Sequence, residues 1–167
     1  MKSVEQRLLE PTNRLLNEAA TDVLPRAGHT DARLTVLEAV AAMSGGWHLD
    51  DFWSLIGKNS TCLHADPTPW ADKIRTSIAA TGIPTPLALS ALSREVLPPS
   101  LQRKTGAYYT DWRLAQSLAA TAVPEVAADG PGVDTACGSG VLLAAAAMVL
   151  PAGPDRDAVS RDRLVRA

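Results

Sequence analysis

Aromatic side chains are scarce in this sequence: four tryptophans, two tyrosines and one phenylalanine make up 4% of its 167 residues. Strands draw on aromatic and β-branched side chains, whereas alanine and leucine carry much of the apolar content here. The scarcity therefore argues against a β-sandwich and for helices. Cysteine is nearly absent too: Cys62 and Cys137 are the only two, which excludes a disulfide framework and fits a reducing compartment. The longest apolar run, residues 141–150, is half of the roughly 20 residues that cross a bilayer. The opening Met1-Lys2-Ser3-Val4-Glu5-Gln6-Arg7 lacks the apolar core of a secretory signal. A soluble cytoplasmic protein with no membrane partner is expected. Positive charge is not in excess either. A formal net charge of −2 supplies no broad field for a phosphate backbone, so any main DNA-binding surface is very local or lies elsewhere. Internal repeats and low-complexity linkers are also missing.

The chain does have a globular composition, with 46% hydrophobic and 20% charged residues, and room for one ordinary domain or a small domain and part of another. Its first hundred residues read as short helices with clear punctuation. Leu8, Leu9, Leu15, Leu16, Ala19 and Val23 make an apolar face, with Pro11 as a break and Pro25 as a stop. A second helix starts near Asp31, places Leu34, Leu37, Val40 and Ala41 on one side, and ends at Gly45 and Gly46. Asp50 is read as the cap of a short helix carrying Phe52, Trp53, Leu55 and Ile56. Thr68-Pro69 and Thr85-Pro86 read as cap-plus-first-turn signatures of two more. Pro98 and Pro99 mark a boundary, giving a helical region over residues 1–97 and a second region over 98–167.

The second region opens with Arg103-Lys104-Thr105-Gly106-Ala107-Tyr108-Tyr109-Thr110, an irregular segment leading into a helix. Thr110 is its expected N-cap, Asp111 lies in its first turn, and Leu114, Ala115, Leu118 and Ala122 form its expected buried stripe. Gly132-Val133-Asp134-Thr135 reads as a short strand. The turn Ala136-Cys137-Gly138-Ser139-Gly140 and an apolar helix follow. A glycine loop between a strand and a helix is a binding device, because glycine backbones let a ligand approach and helix N-termini present unpaired N–H groups. No Gly-Lys-Ser/Thr follows, which excludes a phosphate-cradling P-loop. Leu143 stands where a dinucleotide fingerprint has its third glycine.

The two segments together resemble a family. Residues 103–110 followed by an apolar helix are similar to the entry motif of the N6-adenine DNA methyltransferases of type I and type IIG restriction-modification systems. Asp134-Thr135-Ala136-Cys137-Gly138-Ser139-Gly140 is similar to that family's cofactor loop, Asp-Pro-x-Cys-Gly-Ser-Gly. The resemblance covers residues 94–150, about a third of the chain, with both motifs in the family's order. It implies an α/β fold class: an N-terminal helical region, then the start of a Rossmann-like S-adenosylmethionine-dependent methyltransferase domain with an incomplete sheet. It implies that Tyr109 and Thr110 lie beside the methionine portion of S-adenosylmethionine, Thr110 near its carboxylate. Ala136, Cys137, Gly138, Ser139 and Gly140 would wrap the same portion, with Asp134 steadying the loop or the amino group. Thr135 and Asp111 stand where the family usually has proline, both outside the glycine loop.

The family's adenine-holding Asn/Asp/Ser-Pro-Pro-Tyr/Phe motif, which stacks on a flipped-out base, does not occur after Gly140, and Leu97-Pro98-Pro99-Ser100 lacks the polar acceptor before its prolines. The expectation is therefore the N-terminal part of a site-specific adenine N6-methyltransferase of host modification or phage defence. Alone it is expected to be inactive and to carry no catalytic residue. DNA would be reached through the remainder of the enzyme, and a second chain completing the methyltransferase is the other candidate partner. The competing readings are a non-enzymatic helical interaction module and one subunit of a split methyltransferase. Cys62, His64 and His48 offer too few ligands at recognisable spacing for a structural zinc site. Trp47, Trp53 and Trp70 read as core anchors of the helical region.

Overall fold

Prolines and glycines stand at many helix ends in this chain, and the computed structural model shows how several of those ends are closed. It describes residues 4–24, 29–58, 63–94, 110–122 and 139–149. Eight helices lie among them: α1 (Val4–Leu8), α2 (Glu10–Val23), α3 (His29–Ser44), α4 (Leu49–Leu55), α5 (Thr68–Thr81), α6 (Thr85–Ser93), α7 (Trp112–Ala122) and α8 (Val141–Val149). The chain divides into two compact units, Met1–Glu95 and Val96–Ala167.

The α/β expectation is overturned. The described residues are 79% helix and contain no strand and no sheet. The physical reason lies in side-chain choice. Alanine-rich segments close their backbone hydrogen bonds within helices, and the two described helices of the second unit pack on each other with no sheet between them. The segment read as a strand, residues 132–135, lies outside the described residues.

In the first unit α3 is the hub, packed against α2, α4, α5 and α6. Its apolar residues are therefore spread around the helix instead of forming one stripe. Ala32, Val36, Leu37, Ala39, Val40 and Ala42 are buried, whereas Leu34, expected inside, is 38% exposed. Alanine at three of these positions lets neighbouring helices approach closely. Leu16, Ala19, Ala20 and Val23 of α2, Trp53 of α4, Ile74 and Ile78 of α5, and Leu87 and Leu92 of α6 are buried with them. Polar pins cross it. Thr12 Oγ1 and Ser77 Oγ share a 2.7 Å hydrogen bond between α2 and α5. The Arg33 guanidinium donates to Asn17 Oδ1 and, at 2.9 Å, to the Leu92 carbonyl, tying α3 to α2 and α6. Burial pushes the Arg33 pKa below its ordinary value.

Several helix ends differ from their expected chemistry. The break near Pro11 falls at Leu9, and Pro11 sits inside the first turn of α2, where its missing N–H costs nothing. Gly46 closes α3 at φ +72°. The N–H of Trp47 then reaches the Ala42 carbonyl at 2.9 Å and that of Gly46 reaches Met43 at 3.2 Å, the paired bonds of a Schellman end. Asp50 lies in the first turn of α4, with His48 as its N-cap residue. The Thr68 N–H donates to Asp66 Oδ1 at 2.9 Å, so the carboxylate upstream of Thr68 serves the start of α5.

Candidate functional site

The glycine turn of the second unit is the first candidate. Ser139 and Gly140 form the turn that enters α8, and the Ala144 N–H donates to the Gly140 carbonyl at 2.9 Å, making Gly140 the residue on which the helix starts. Gly140 has φ +73°, a left-handed conformation in which a Cβ costs roughly 1–2 kcal/mol. A Cβ built on it would meet nothing within 4 Å. The constraint at Gly140 is thus conformational, and the space beside it is open. Helix N-termini direct N–H groups outward, with a positive dipole end that suits a carboxylate.

Thr110 is half-buried just before α7. The cap it was expected to provide comes instead from Asp111, whose Oδ1 accepts the Arg113 N–H at 2.9 Å while its carbonyl accepts from Ala115. Two residues beyond Thr110, the Trp112 indole N–H is buried with no hydrogen-bond partner among the described residues. The stripe expected on α7 is rotated. Ala115 and Ala119 are buried, but Leu114 and Leu118 are 53% and 48% exposed. Small alanines meet α8, whose own buried positions are Val141 and Ala145, and the leucines are left on another face. The two helices introduced by the two motifs therefore pack on one another. Tyr109, Asp134, Ala136, Cys137 and Gly138 lie outside the described residues.

A second candidate, which the sequence reading missed, is a cleft of about 610 Å³ in the first unit. It opens where the end of α3, α4 and the start of α5 diverge. Trp53, 2% exposed, is one of its lining residues and the largest buried side chain of the unit. Its indole N–H donates to Glu38 Oε2 at 2.7 Å, and Lys58 Nζ reaches the same oxygen at 2.6 Å while lying 5.5 Å from the Trp53 ring centroid. Trp47 and Met43 are half-buried beside the cleft, and His48, His64, Asp50 and Asp66 are exposed around it. These side chains come from three helix ends and one connection, and no local spacing announces their meeting. Its sequence traces are scattered: Trp47 and His48 directly after the Gly45-Gly46 stop, with Trp53 and His64 further along the chain.

The Thr68 side chain and backbone N–H hold the Asp66 carboxyl below the usual carboxylate range, and the His48 ring acts in the same direction. A carboxyl lowered on folding contributes stability that is fully present above its unfolded value and lost as pH falls through its folded value. Thermal unfolding of the wild-type chain is thus expected to lose more stability between about pH 6 and about pH 2 than that of Asp66→Asn. Equal slopes for the two proteins would remove Asp66 from the α5 start.

Among the described residues no group of three or more His, Cys, Asp or Glu side chains is arranged to hold a metal ion, and Cys62 lies outside them. Nor is any described helix long and apolar enough to cross a membrane. The chain matches no family model, and no curated protein and no solved structure is significantly similar to it.

Proposed function

We propose that this chain carries the cofactor-binding elements of a site-specific DNA adenine N6-methyltransferase, and that S-adenosylmethionine is bound at the Cys137-Gly138-Ser139-Gly140 turn with Tyr109 and Thr110 nearby. The observation that carries the reading is the pairing of the two motif segments. Each leads directly into a helix, and the two helices, α7 and α8, pack on one another. Three further features suit the ligand. Gly140 is left-handed with open space above it. The α8 N-terminus favours a carboxylate. The buried Trp112 N–H lacks an acceptor among the described residues.

When bound, S-adenosylmethionine supplies an electrophilic methyl group on a sulfonium. The residues of this chain would hold the methionine end of that molecule and do no proton transfer. The adenine-holding motif is absent from the sequence, so the proposal gives this chain cofactor binding and assigns adenine recognition, DNA contact and methyl transfer to other residues or a second chain.

A second reading, an interaction module or one half of a split methyltransferase, is favoured by the second unit's exposed apolar side chains. Leu114, Leu118, Leu142 and Met148 are each more than a third exposed, and α8 contains no polar residue. A helix apolar on all sides is normally covered on all sides.

Calorimetric titration with S-adenosylmethionine, beside a Gly138→Asp variant of matched helix content, tests the proposal. Binding by the wild-type chain, weakened at least about tenfold (~1.4 kcal/mol) in the variant, is the expected result. Equal affinity in the two proteins would take the cofactor away from this loop. Absence of binding by the wild-type chain would leave the interaction-module reading in its place.

A further inference from the structure

The cleft of the first unit carries a specific chemistry. Its volume, about 610 Å³, lies in the range of pockets that take small organic molecules. Ala39, Ala42 and Ala71 are all small, and their size on α3 and α5 is what leaves the space open. Trp53 lies buried against it, and the Trp47 ring lies against Gly45, where an added Cβ would come within 2.8 Å of Trp47 Cδ1.

The polar groups are as selective as the apolar ones. Asp50 and Asp66 line the cleft and are exposed, His48 and His64 line it beside them, and no lysine or arginine among the described residues does. Lys58, the nearby cation, is engaged with Glu38 and the Trp53 ring. The Asp66 carboxylate receives the Thr68 N–H on Oδ1, but an ionised carboxylate has about four acceptor positions, so capacity for another donor remains. Carboxylates repel phosphate and carboxylate ligands, whereas indole faces and carboxylates both attract a cation. The half-buried Met43 adds a side chain that adapts to irregular apolar shapes.

We propose that this cleft binds a small organic cation with an apolar body: its ammonium group is met by Asp50 and Asp66, and its body rests against Trp47 and Trp53. The site belongs to the first unit and does not depend on S-adenosylmethionine binding in the second.

The probe is 2-phenylethylammonium, with 3-phenylpropionate as an anion of similar shape, each titrated into the full chain by calorimetry and by indole fluorescence. The cation is expected to bind at least about tenfold more tightly than the anion. Asp50→Asn and Asp66→Asn are each expected to weaken the cation several-fold. The Asp66→Asn amide oxygen still accepts the Thr68 N–H, so α5 keeps its start. Gly45→Ala, which pushes on the Trp47 ring without changing any charge, is expected to weaken the cation as well. Equal binding of cation and anion overturns the charge assignment. Unchanged cation affinity in both Asn variants, or in Gly45→Ala, overturns the placement in this cleft. No binding of the cation up to about 10 mM overturns the proposal outright.

Discussion

Trp53→Ala is expected to lower the stability of the first unit by about 3–5 kcal/mol, the cost typical of emptying a buried tryptophan site. Trp53 is the largest fully buried side chain of that unit, and two residues from other segments, Glu38 and Lys58, converge on it. Its indole N–H is bonded to Glu38 on α3 at 2.7 Å, Lys58 beyond α4 shares the same Glu38 oxygen at 2.6 Å, and the Lys58 ammonium lies 5.5 Å from the ring centroid. Trp53→Phe separates the contributions. It keeps most of the burial and loses only the donor to a charged acceptor, about 1.5–3 kcal/mol. Urea unfolding followed by far-ultraviolet circular dichroism measures both. A loss below about 1 kcal/mol for the alanine variant would mean that the ring contributes no more than a surface side chain.

The second large effect belongs to the ion pair between Glu5 and Arg94. Arg94 Nη1 lies 3.1 Å from Glu5 Oε2, both side chains are only 9% exposed, and 89 positions separate them in sequence. Removing one member of a buried pair leaves the other charge in a poor solvent, at about 3–5 kcal/mol. Arg94→Met is expected to approach that range unless α1 releases first. The helix is five residues long and exposes Val4 and Leu8, so undocking it would put Glu5 back into water and limit the loss. Combining Glu5→Leu with Arg94→Met removes both charges together. The double variant is therefore expected to recover at least about 1 kcal/mol relative to the sum of the single losses. Strict additivity in that cycle would show that the two charges do not interact. Amide exchange in α1 distinguishes local release from loss of the whole unit.

The second unit shows how far a motif carries. Gly140 was legible as a residue needing an unusual backbone, and it has one, at φ +73°. The same reading expected residues 132–135 to open a sheet; those residues lie outside the described ones, which are 79% helix and contain no strand. The difference is physical. A glycine turn is settled within a few residues, whereas a strand exists only where a partner chain segment takes its hydrogen bonds.

What the sequence by itself determined were the local events. The helices over residues 29–44, 68–81 and 85–93 were legible from nearby proline, glycine and aspartate, because turns are closed by groups within about four residues. Thr68 and Thr85, expected as caps, are instead the first helical residues after Pro67 and Pro84. Only the tertiary structure decided which faces are covered. Leu34, Leu114 and Leu118 carry the right periodicity for a core and remain exposed, while alanines one or two positions away are buried. Periodicity marks an apolar stripe but not the neighbour that will cover it. The Glu5–Arg94 pair and the Trp47–Trp53 cleft were equally out of reach, since they are made by helix ends that meet only when α3 has gathered α2, α4, α5 and α6 around it. Such contacts depend on packing several helices at once, and no window of neighbouring residues contains that information.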